Sequence, residues 1–314
     1  MLTLFTTAKP FKGHNGIIQR NALKSWTLLH PDVEVILFGD EDGAAEVARE
    51  LGLRHEPHVE RFEGKLPYVN FLFGRAQQIA RHDYLCYANC DMVLTEDFRG
   101  AVEGAVRWRR RFLLVSQRWD SKITEPIDFG RAGWGEEARR AARTRGVKQD
   151  PRNVDVFVFP KGLYHDIPPL VVGISYWDWW AVWNALAQNV PVVDCTPYMT
   201  AIHQNHDYGH YPGGKEGTHL GPLAMQNYRL AGGPEHFRWT EDATHRLTRG
   251  GRISRRFVRI RYRTRTRDLW LEARRIFTYK VRLPVWFFLL NVTRPLRNLL
   301  GVRSGAAPRS GGKP

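Results

Sequence analysis

An aspartate at the end of an apolar run is the first residue of this sequence that suggests chemistry. Asp91 closes the run that begins at Tyr84, so we expect it at the tip of a buried strand. A buried, ionised carboxylate is costly unless a metal ion or a hydrogen-bond donor faces it. Mg²⁺ uses one or two protein carboxylates together with phosphate oxygens, so Asp91 beside a diphosphate would suffice, with Asn89 as a weaker carbonyl ligand. The alternative is an aspartate that only caps the following turn.

A second aspartate lies among tryptophans. Asp178 is flanked by Trp177, Trp179 and Trp180 and stands where a helix is expected to begin. Apolar surroundings raise the pKa of a carboxyl group, which suits a general base that takes a proton from a hydroxyl. Gly173, shortly before it, would let the backbone approach a ligand closely. The alternative is that Asp178 serves only as a helix N-cap.

Two histidines further along the chain form an H-x-x-H pair. His203 and His206 have a spacing that can direct two imidazoles at one metal ion, although a lone pair of this kind is more often structural. Glycines dominate the stretch that follows, from Gly209 to Gly221. This composition predicts a mobile loop that closes over a substrate and excludes water.

The segments around these residues alternate between strand and helix patterns, which predicts a mostly parallel sheet covered by helices. Before Asp91 the expected strands are 2–7, 33–38 and the Tyr84 strand, and the expected helices are 17–29, 44–51 and 69–79. After it, strands are expected at 112–117, 154–159 and 190–195 and helices at 135–145 and 177–187. The predicted fold class is therefore an α/β sandwich.

The positive charge of the chain is concentrated at its C-terminal end. From Arg246 onward there are 19 Lys and Arg residues against two acids, a net of +17, whereas the whole chain carries +15. Because apolar residues are interleaved with these cations, we expect the segment to bind an anionic membrane surface and expect no specific nucleic-acid partner. The alternatives are a nucleic-acid-binding tail and a solvated charged helix.

Two further features bear on the location of the protein. The three cysteines, Cys86, Cys90 and Cys195, lack C-x-x-C spacing, so we expect buried, reduced thiols. The first apolar run is too short for a signal peptide, and the nearest candidate for a membrane span, Leu283 to Val292, has about half the required length. We therefore expect a cytoplasmic protein that is peripheral on the inner face of the cell membrane.

In this order, Asn89-Cys90-Asp91, Gly173 with Trp177-Asp178, and His203 resemble the elements of GT-A-fold glycosyltransferases, in the nucleotide-diphospho-sugar transferase superfamily. Segments 192–196 and 202–208 are similar to those of a bacterial family of predicted glycosyltransferases. The resemblance covers residues 2–248. It implies a three-layer α/β/α sandwich with a mostly parallel, Rossmann-like sheet in a domain of residues 1–248, followed by a helical, Arg-rich tail at 249–314.

The resemblance also implies roles for individual residues. Asp91 is the expected ligand of the metal and the diphosphate, His203 a second metal ligand, and Asp178 the base that acts on the acceptor hydroxyl. The nucleotide and its diphosphate are expected to contact Asn89, Asp91, Gly173, Thr6, Thr7, Lys9 and Asp40. Lys65 is expected beside the diphosphate from its position in the sequence alone, not from the resemblance. Asn89 departs from the D-x-D-type motif of the family, whose first position is usually an aspartate.

The implied activity is the transfer of a sugar from a nucleotide-diphosphate donor to a hydroxyl acceptor, with inversion if Asp178 is the base. The implied cofactor is Mn²⁺ or Mg²⁺, and a membrane-facing tail favours a lipid-linked or cell-envelope acceptor. A nucleotidyltransferase of similar fold is one alternative, although residues 8–13 match its glycine-rich basic loop poorly. An inactive membrane- or nucleic-acid-binding protein is another. The first strand is not followed by the G-x-G-x-x-G turn of dinucleotide-dependent oxidoreductases.

Overall fold

The computed structural model describes residues 2–206 and 214–256. Within these ranges the strands are β1 (Thr3–Thr7), β2 (Glu34–Phe38), β3 (Arg54–Glu56), β4 (Arg61–Phe62), β5 (Leu66–Pro67), β6 (Tyr84–Ala88), β7 (Met92–Val93), β8 (Leu113–Ser121), β9 (Val147–Lys148), β10 (Val154–Pro160), β11 (Val192–Asp194), β12 (Ala201–Gln204), β13 (His245–Leu247) and β14 (Ile253–Arg255). The α-helices are α1 (Gly13–Thr27), α2 (Ala44–Leu51), α3 (Val69–Ile79), α4 (Glu96–Trp108), α5 (Trp134–Arg145), α6 (Trp177–Ala187), α7 (Gly214–Leu220) and α8 (Pro222–Leu230).

These strands form one large sheet and a small hairpin, β4-β5. The main path of the sheet has the order β3-β2-β1-β6-β10-β8-β11-β13-β14. Along it β10 is antiparallel to both of its neighbours, and β14 is antiparallel to β13. The other pairs on the path are parallel. Beside this path, β12 runs parallel to the end of β8 and antiparallel to β7. The predicted mostly parallel sheet is confirmed.

Helices cover both faces of the sheet. Side chains of α3 and α6 pack against one face, in a core that includes Phe5 and Phe157. Side chains of α1, α2 and α4 pack against the other face, in a core that includes Leu4 and Val156. Because neighbouring residues of a strand point to opposite faces, each central strand contributes to both cores. The result is the expected three-layer α/β/α sandwich.

Aromatic contacts determine where the end of β6 lies relative to α6. Phe73 of α3 stacks on Tyr87 of β6 with ring centroids 5.5 Å apart, and Trp177 of α6 meets Tyr87 edge-on at 5.1 Å. Pairs of this geometry contribute about 0.5–1.5 kcal/mol each beyond their buried area. Asp91 follows Tyr87 by four positions and Asp178 follows Trp177 directly. The same packing therefore brings both segments to one edge of the sheet.

Strand direction explains why so many polar residues meet at that edge. β1, β2, β6 and β8 run in one direction, so their carboxyl ends share the edge at which open α/β sheets bind ligands. Since β10 runs the opposite way, its amino-terminal end, with Asp155, also reaches this edge. The antiparallel direction of β10 was not part of the sequence prediction.

A β-bulge lies in β10 beside Asp155. Val154 is paired with Gln117 of β8, whereas Phe157 is paired with Val115, so β10 contains one extra residue at this point. Val154 and Phe157 consequently face the same core although they are three positions apart. Bulges of this kind redirect side chains and are frequent next to functional sites.

The expected loop from Gly209 to Gly221 is wrong in its second half. Residues 214–220 form α7, and Gly221 precedes α8. Helix α7 is stabilised by the two residues that precede α6. The backbone N–H of Ser175 donates to the Thr218 carbonyl at 3.1 Å, and the Tyr176 hydroxyl donates to the His219 carbonyl at 2.9 Å. Tertiary contacts have here overridden the weak helix propensity of glycine. Residues 207–213 lie outside the described part of the chain.

The C-terminal boundary of the sheet lies beyond residue 248. β14 pairs with β13, so residues 253–255 belong to the sheet. The expected membrane tail, apart from its first residues, falls in 257–314, outside the described residues. Among the residues described, no helix has the length and hydropathy needed to cross a membrane. All three cysteines are free and buried, as expected.

Candidate metal and nucleotide site

Three potential metal ligands converge where β6 ends. Asp91 follows β6, His203 lies in β12 and His206 follows β12, and one ligand atom from each can be chosen so that all lie within 4.8 Å of one another. Asp91 Oδ2 lies 3.0 Å from His206 Nε2 and 3.7 Å from His203 Nε2. The other carboxylate oxygen, Oδ1, is buried and has no hydrogen-bond partner among the residues that the structure describes.

The strand pairing of β12 explains how the histidines reach Asp91. His203 is paired with Met92 of β7, the residue after Asp91, and with Asp120 of β8. The backbone N–H of Gln204 donates to the Asp91 carbonyl at 3.1 Å. The H-x-x-H spacing had indicated His206 as well, but the resemblance had assigned only His203.

The electrostatics of Asp91 favour its ionised form. Burial alone would raise the pKa of this carboxyl group, but His203, His206 and Arg118 outweigh burial and hold the pKa well below its ordinary range. A carboxylate that is charged at every physiological pH, with one buried oxygen unpartnered, is suited to a cation.

The Asn89 side chain does not direct its amide oxygen at the ligand cluster, as a metal ligand would need to do. Its Nδ2 donates to Asp155 Oδ1 at 2.7 Å, and its Oδ1 accepts a hydrogen bond from the Tyr87 hydroxyl at 3.0 Å. Its backbone N–H donates to the Asp155 carbonyl at 3.2 Å. Asn89 therefore connects β6 to the bulge of β10.

Arg118 continues this connection toward the histidines. Its Nη1 donates to Asp155 Oδ2 at 2.9 Å and its Nε donates to Asp120 Oδ1 at 2.9 Å. His203 Nδ1 lies 3.0 Å from the same Asp120 oxygen, an ion-pair contact rather than an aligned hydrogen bond. Burial raises the pKa of Asp120, whereas His203 and Arg118 lower it, with a net shift downward.

Asp178 differs from Asp91 in the direction of its pKa shift. It lies in the first turn of α6, while Tyr176 holds the N-cap position, so Asp178 is not itself the N-cap residue. Its Oδ1 is buried without a partner. Burial first, and the charge of Asp155 second, raise the pKa of Asp178 to about 7, against weaker opposition from nearby backbone N–H groups. The expected direction of the pKa shift is confirmed.

The three residues at the end of β1 that are expected to contact the nucleotide differ in their burial and in their distance from the ligand cluster. Lys9 lies beside the ligand cluster, with its Nζ 3.5 Å from His206 Nδ1. Thr6 is fully buried, and its hydroxyl donates to the Thr7 carbonyl at 3.2 Å. Thr7 itself ends β1 and is half-buried. Of the three, only Lys9 has a recorded contact with a member of the cluster.

The two residues expected near β2 form a separate polar group. Asp40 is mostly exposed and accepts a hydrogen bond from Arg61 Nη2 at 2.8 Å. The Arg61 Nη1 donates to Glu41 Oε1 at 2.7 Å and to the Lys65 carbonyl at 3.3 Å. Glu41, which sequence reasoning missed, keeps its second oxygen buried without a partner. Asp40 and Lys65 are thus joined by Arg61, and within residues 2–206 and 214–256 neither forms a hydrogen bond or ion pair with Asp91.

The backbone conformation at position 173 explains why a glycine stands there. Its φ of +78° is a left-handed conformation, and a Cβ added there would meet no atom within 4 Å. The turn before α6 therefore requires glycine for conformation rather than for space. Next to it, Ser175 Oγ is hydrogen-bonded to His219 Nδ1 of α7. A role of Gly173 in binding remains a prediction.

Sequence reasoning missed Arg118, Asp120 and Asp155. Asp155 had a detectable signal, since it interrupts an apolar strand just as Asp91 ends one. Arg118 and Asp120 lie in the part of β8 beyond the expected strand end at residue 117. Their importance depends on β12 pairing alongside, which no local pattern indicates.

Comparison with known proteins gives only distant matches. No family model and no curated protein matches the chain. Solved structures of glucosyl-3-phosphoglycerate synthase from Mycobacterium tuberculosis are similar to it, among them complexes with Mg²⁺ and UDP, with Mn²⁺, UDP and phosphoglyceric acid, and with Mn²⁺ and UDP-glucose. Each of the three shares 13% sequence identity with this chain, and their TM-scores are 0.45, 0.45 and 0.44. The matches cover 74% of this chain and 80%, 79% and 80% of the respective synthase chains. At this distance the matches carry no argument about activity, and the fold class rests on the topology described above.

Proposed function

We propose that this protein is a metal-dependent glycosyltransferase that moves a sugar from a nucleotide-diphosphate donor to a hydroxyl acceptor. The observation that carries the proposal is the pairing of two unlike carboxylates at one sheet edge. Asp91, whose pKa is lowered, lies with two histidines in a ligand cluster, and Asp178, with a pKa of about 7, is poised to exchange a proton. Both act electrostatically on the buried Tyr87 hydroxyl, which supports their proximity.

The donor set fits a divalent cation. The separations of 3.0 and 3.7 Å from Asp91 Oδ2 to the histidine nitrogens match the ligand spacing expected for metal–ligand bonds of about 2.1 Å. Two imidazoles with one carboxylate suit Mn²⁺ better than Mg²⁺, which prefers oxygen ligands. Asp91, His203 and His206 would hold the ion. When bound, it supplies positive charge for the diphosphate that departs.

Asp178 would act on the acceptor. Its carboxylate accepts the proton of the acceptor hydroxyl while that oxygen forms a bond to the anomeric carbon. The bond from the anomeric carbon to the diphosphate oxygen breaks, and the electron pair leaves with the nucleoside diphosphate. A single displacement of this kind inverts the anomeric configuration. Lys9, beside His206, adds positive charge near the leaving group.

A donor screen tests this function. The full chain is incubated with a panel of UDP-, GDP- and dTDP-sugars, with Mn²⁺ or with EDTA, and release of the nucleoside diphosphate is measured. We expect release from at least one sugar nucleotide with Mn²⁺, at least about 100-fold less in Asp91→Asn. Formation of pyrophosphate from a sugar phosphate and a nucleoside triphosphate would instead identify a nucleotidyltransferase. No turnover of any donor would contradict the proposal.

The location and the acceptor are proposed from the sequence of the C-terminal segment. Residues 257–314 contain 14 Lys and Arg residues and two acids, interleaved with apolar residues. Such a segment suits the anionic inner face of the cell membrane. An enzyme held there would meet lipid-linked acceptors of the cell envelope.

A further inference from the structure

The inference concerns position 89, where an asparagine stands in place of an acid, and it rests on the proposed function. We propose that Asn89 is required as a hydrogen-bond donor. The carboxylate that the motif usually carries at position 89 is supplied here by Asp155 of the neighbouring strand, β10. One positioning network then ends at the metal site, and it consists of Asn89, Asp155, Arg118, Asp120 and His203.

The contact between Asn89 and Asp155 carries the first step. The Asn89 amide donates a 2.7 Å hydrogen bond to Asp155 Oδ1, whereas an ionised aspartate at position 89 could only accept one. An aspartate at position 89 would place two carboxylates at that distance in a buried site, where like charges repel strongly. Restoring the usual acid of the motif would therefore damage this site instead of improving it.

The bulge in β10 carries the second step. It lies at Asp155, between the paired positions Val154 and Phe157, and so places an acid of β10 against Asn89 at the end of β6. Asp155 is buried, and its second oxygen accepts a hydrogen bond from Arg118 at 2.9 Å. Each oxygen of this carboxylate thus has its own donor, which is what keeps a buried acid in place.

Arg118 and Asp120 carry the third step. Arg118 holds both Asp155 and Asp120, and Asp120 faces His203 Nδ1 at 3.0 Å on the paired strand. A carboxylate 3.0 Å from Nδ1 stabilises a proton on that nitrogen electrostatically, which favours the tautomer whose other nitrogen keeps its lone pair for a metal ion. His203 Nε2 is the nitrogen that faces Asp91. Asp120 is accordingly a positioning residue for His203.

A charge-preserving swap tests the first two steps through thermal unfolding of the full chain. We expect Asn89→Asp to lower the Tm by about 5–10 °C. In the double variant Asn89→Asp with Asp155→Asn, the donor and the acceptor exchange strands, so we expect most of the Tm to return. A single variant as stable as the wild type, or a double variant no more stable than Asn89→Asp, would overturn the proposal.

Mn²⁺ affinity, measured by electron paramagnetic resonance without nucleotide, tests the third step. We expect Asp120→Asn to weaken Mn²⁺ binding about 10–100-fold, with partial recovery in Asp120→Glu. The matched control is Asp194→Asn, which removes another buried carboxylate beside two arginines but lies outside the network, so that Mn²⁺ affinity stays at the wild-type value. Wild-type affinity in Asp120→Asn, or equal loss in the control, would overturn this step.

The two sets of results separate the network from the function. If the wild-type protein fails to bind Mn²⁺, the proposed function and the third step are both overturned, because each needs a metal site. The swap measures folding stability alone, so its outcome still decides whether Asn89 and Asp155 form an obligatory pair.

Discussion

At the scale of single residues, the environment gives two aspartates opposite properties. Asp91 faces two histidines and has a lowered pKa, whereas Asp178 is buried near Asp155 and has a pKa raised to about 7. From the tryptophans that flank Asp178 in the sequence, the upward direction of its pKa shift was predicted correctly. The share that comes from Asp155 could not be predicted, because these residues are 23 positions apart and meet only through the sheet.

The raised pKa predicts the pH dependence of the reaction. Below about pH 7 Asp178 is protonated and cannot accept a proton, so we expect kcat/KM to increase tenfold per pH unit up to that pH and to level off above it. In Asp178→Asn the rate at pH 8 should fall at least about 100-fold, the gap to the wild type should narrow as the pH falls below 7, and donor binding should be retained. Initial rates and donor Kd values measured from pH 5 to 9 check this. A rate near that of the wild type in the variant would show that Asp178 is not the base.

The same shift predicts a stability effect of the opposite kind. Between the ordinary pKa of 3.8 and about 7, the folded protein keeps a proton that the unfolded chain has lost. The free energy of unfolding therefore decreases as the pH rises through this window. Asp178→Asn removes the effect, so the variant should be more stable than the wild type at pH 8 by a few kcal/mol, at about 1.4 kcal/mol per pKa unit. Urea unfolding at pH 4 and pH 8 measures it, and an equal difference at both pH values would contradict it.

At the scale of elements, local patterns were most informative for the amphipathic helices. The bounds of α2, α3 and α6 agree with the sequence prediction, and α2 also has a clear stop signal in Gly52. The direction of β10, its bulge and the pairing of β7 with β12 were not predictable, since strand direction and register depend on contacts between distant segments. The site depends on these features, which is why three of its residues were missed.

Gly146, between α5 and β9, packs against the end of β8, and this contact predicts how strongly the strand arrangement is constrained. A Cβ at Gly146 would lie 2.6 Å from the Asp120 carbonyl oxygen and would also contact the Ala142 carbonyl. Since backbone atoms cannot move aside easily, we expect Gly146→Ala to lower stability by about 1–3 kcal/mol. Gly104 in α4 has open space, so Gly104→Ala should be neutral or stabilising by up to about 1 kcal/mol. Thermal unfolding of both variants compares them, and equal Tm values would contradict the packing described here.

At the scale of the whole molecule, charge separates the chain into two parts. The segment from Arg246 carries a net of +17 in a chain whose total is +15, so the sandwich is nearly neutral. The sequence predicted this division but placed its boundary at residue 248, whereas β14 continues the sheet to Arg255. A strand of three residues paired at a sheet edge is too short to be recognised from its own pattern.

The charge division predicts how the protein meets membranes. A chain ending at Arg256 retains β14 and should not sediment with vesicles containing phosphatidylglycerol, whereas the full chain should. Binding of the full chain should weaken as NaCl is raised from 0.1 to 0.5 M, because salt screens the attraction. Vesicle sedimentation measures both effects, with neutral phosphatidylcholine vesicles as the control. Equal sedimentation of the two chains would refute the role of the tail.

The most direct test of the central claim is calorimetric titration of the full chain with UDP and with GDP, in the presence of Mn²⁺ and of EDTA. The account predicts that one of the two nucleotides binds with Mn²⁺ and at least about tenfold more weakly without it. It predicts that Asp91→Asn loses this Mn²⁺ dependence, whereas Asp194→Asn keeps it. Binding of neither nucleotide, or the same affinity with Mn²⁺ and with EDTA, would contradict a metal-dependent sugar-nucleotide site at Asp91.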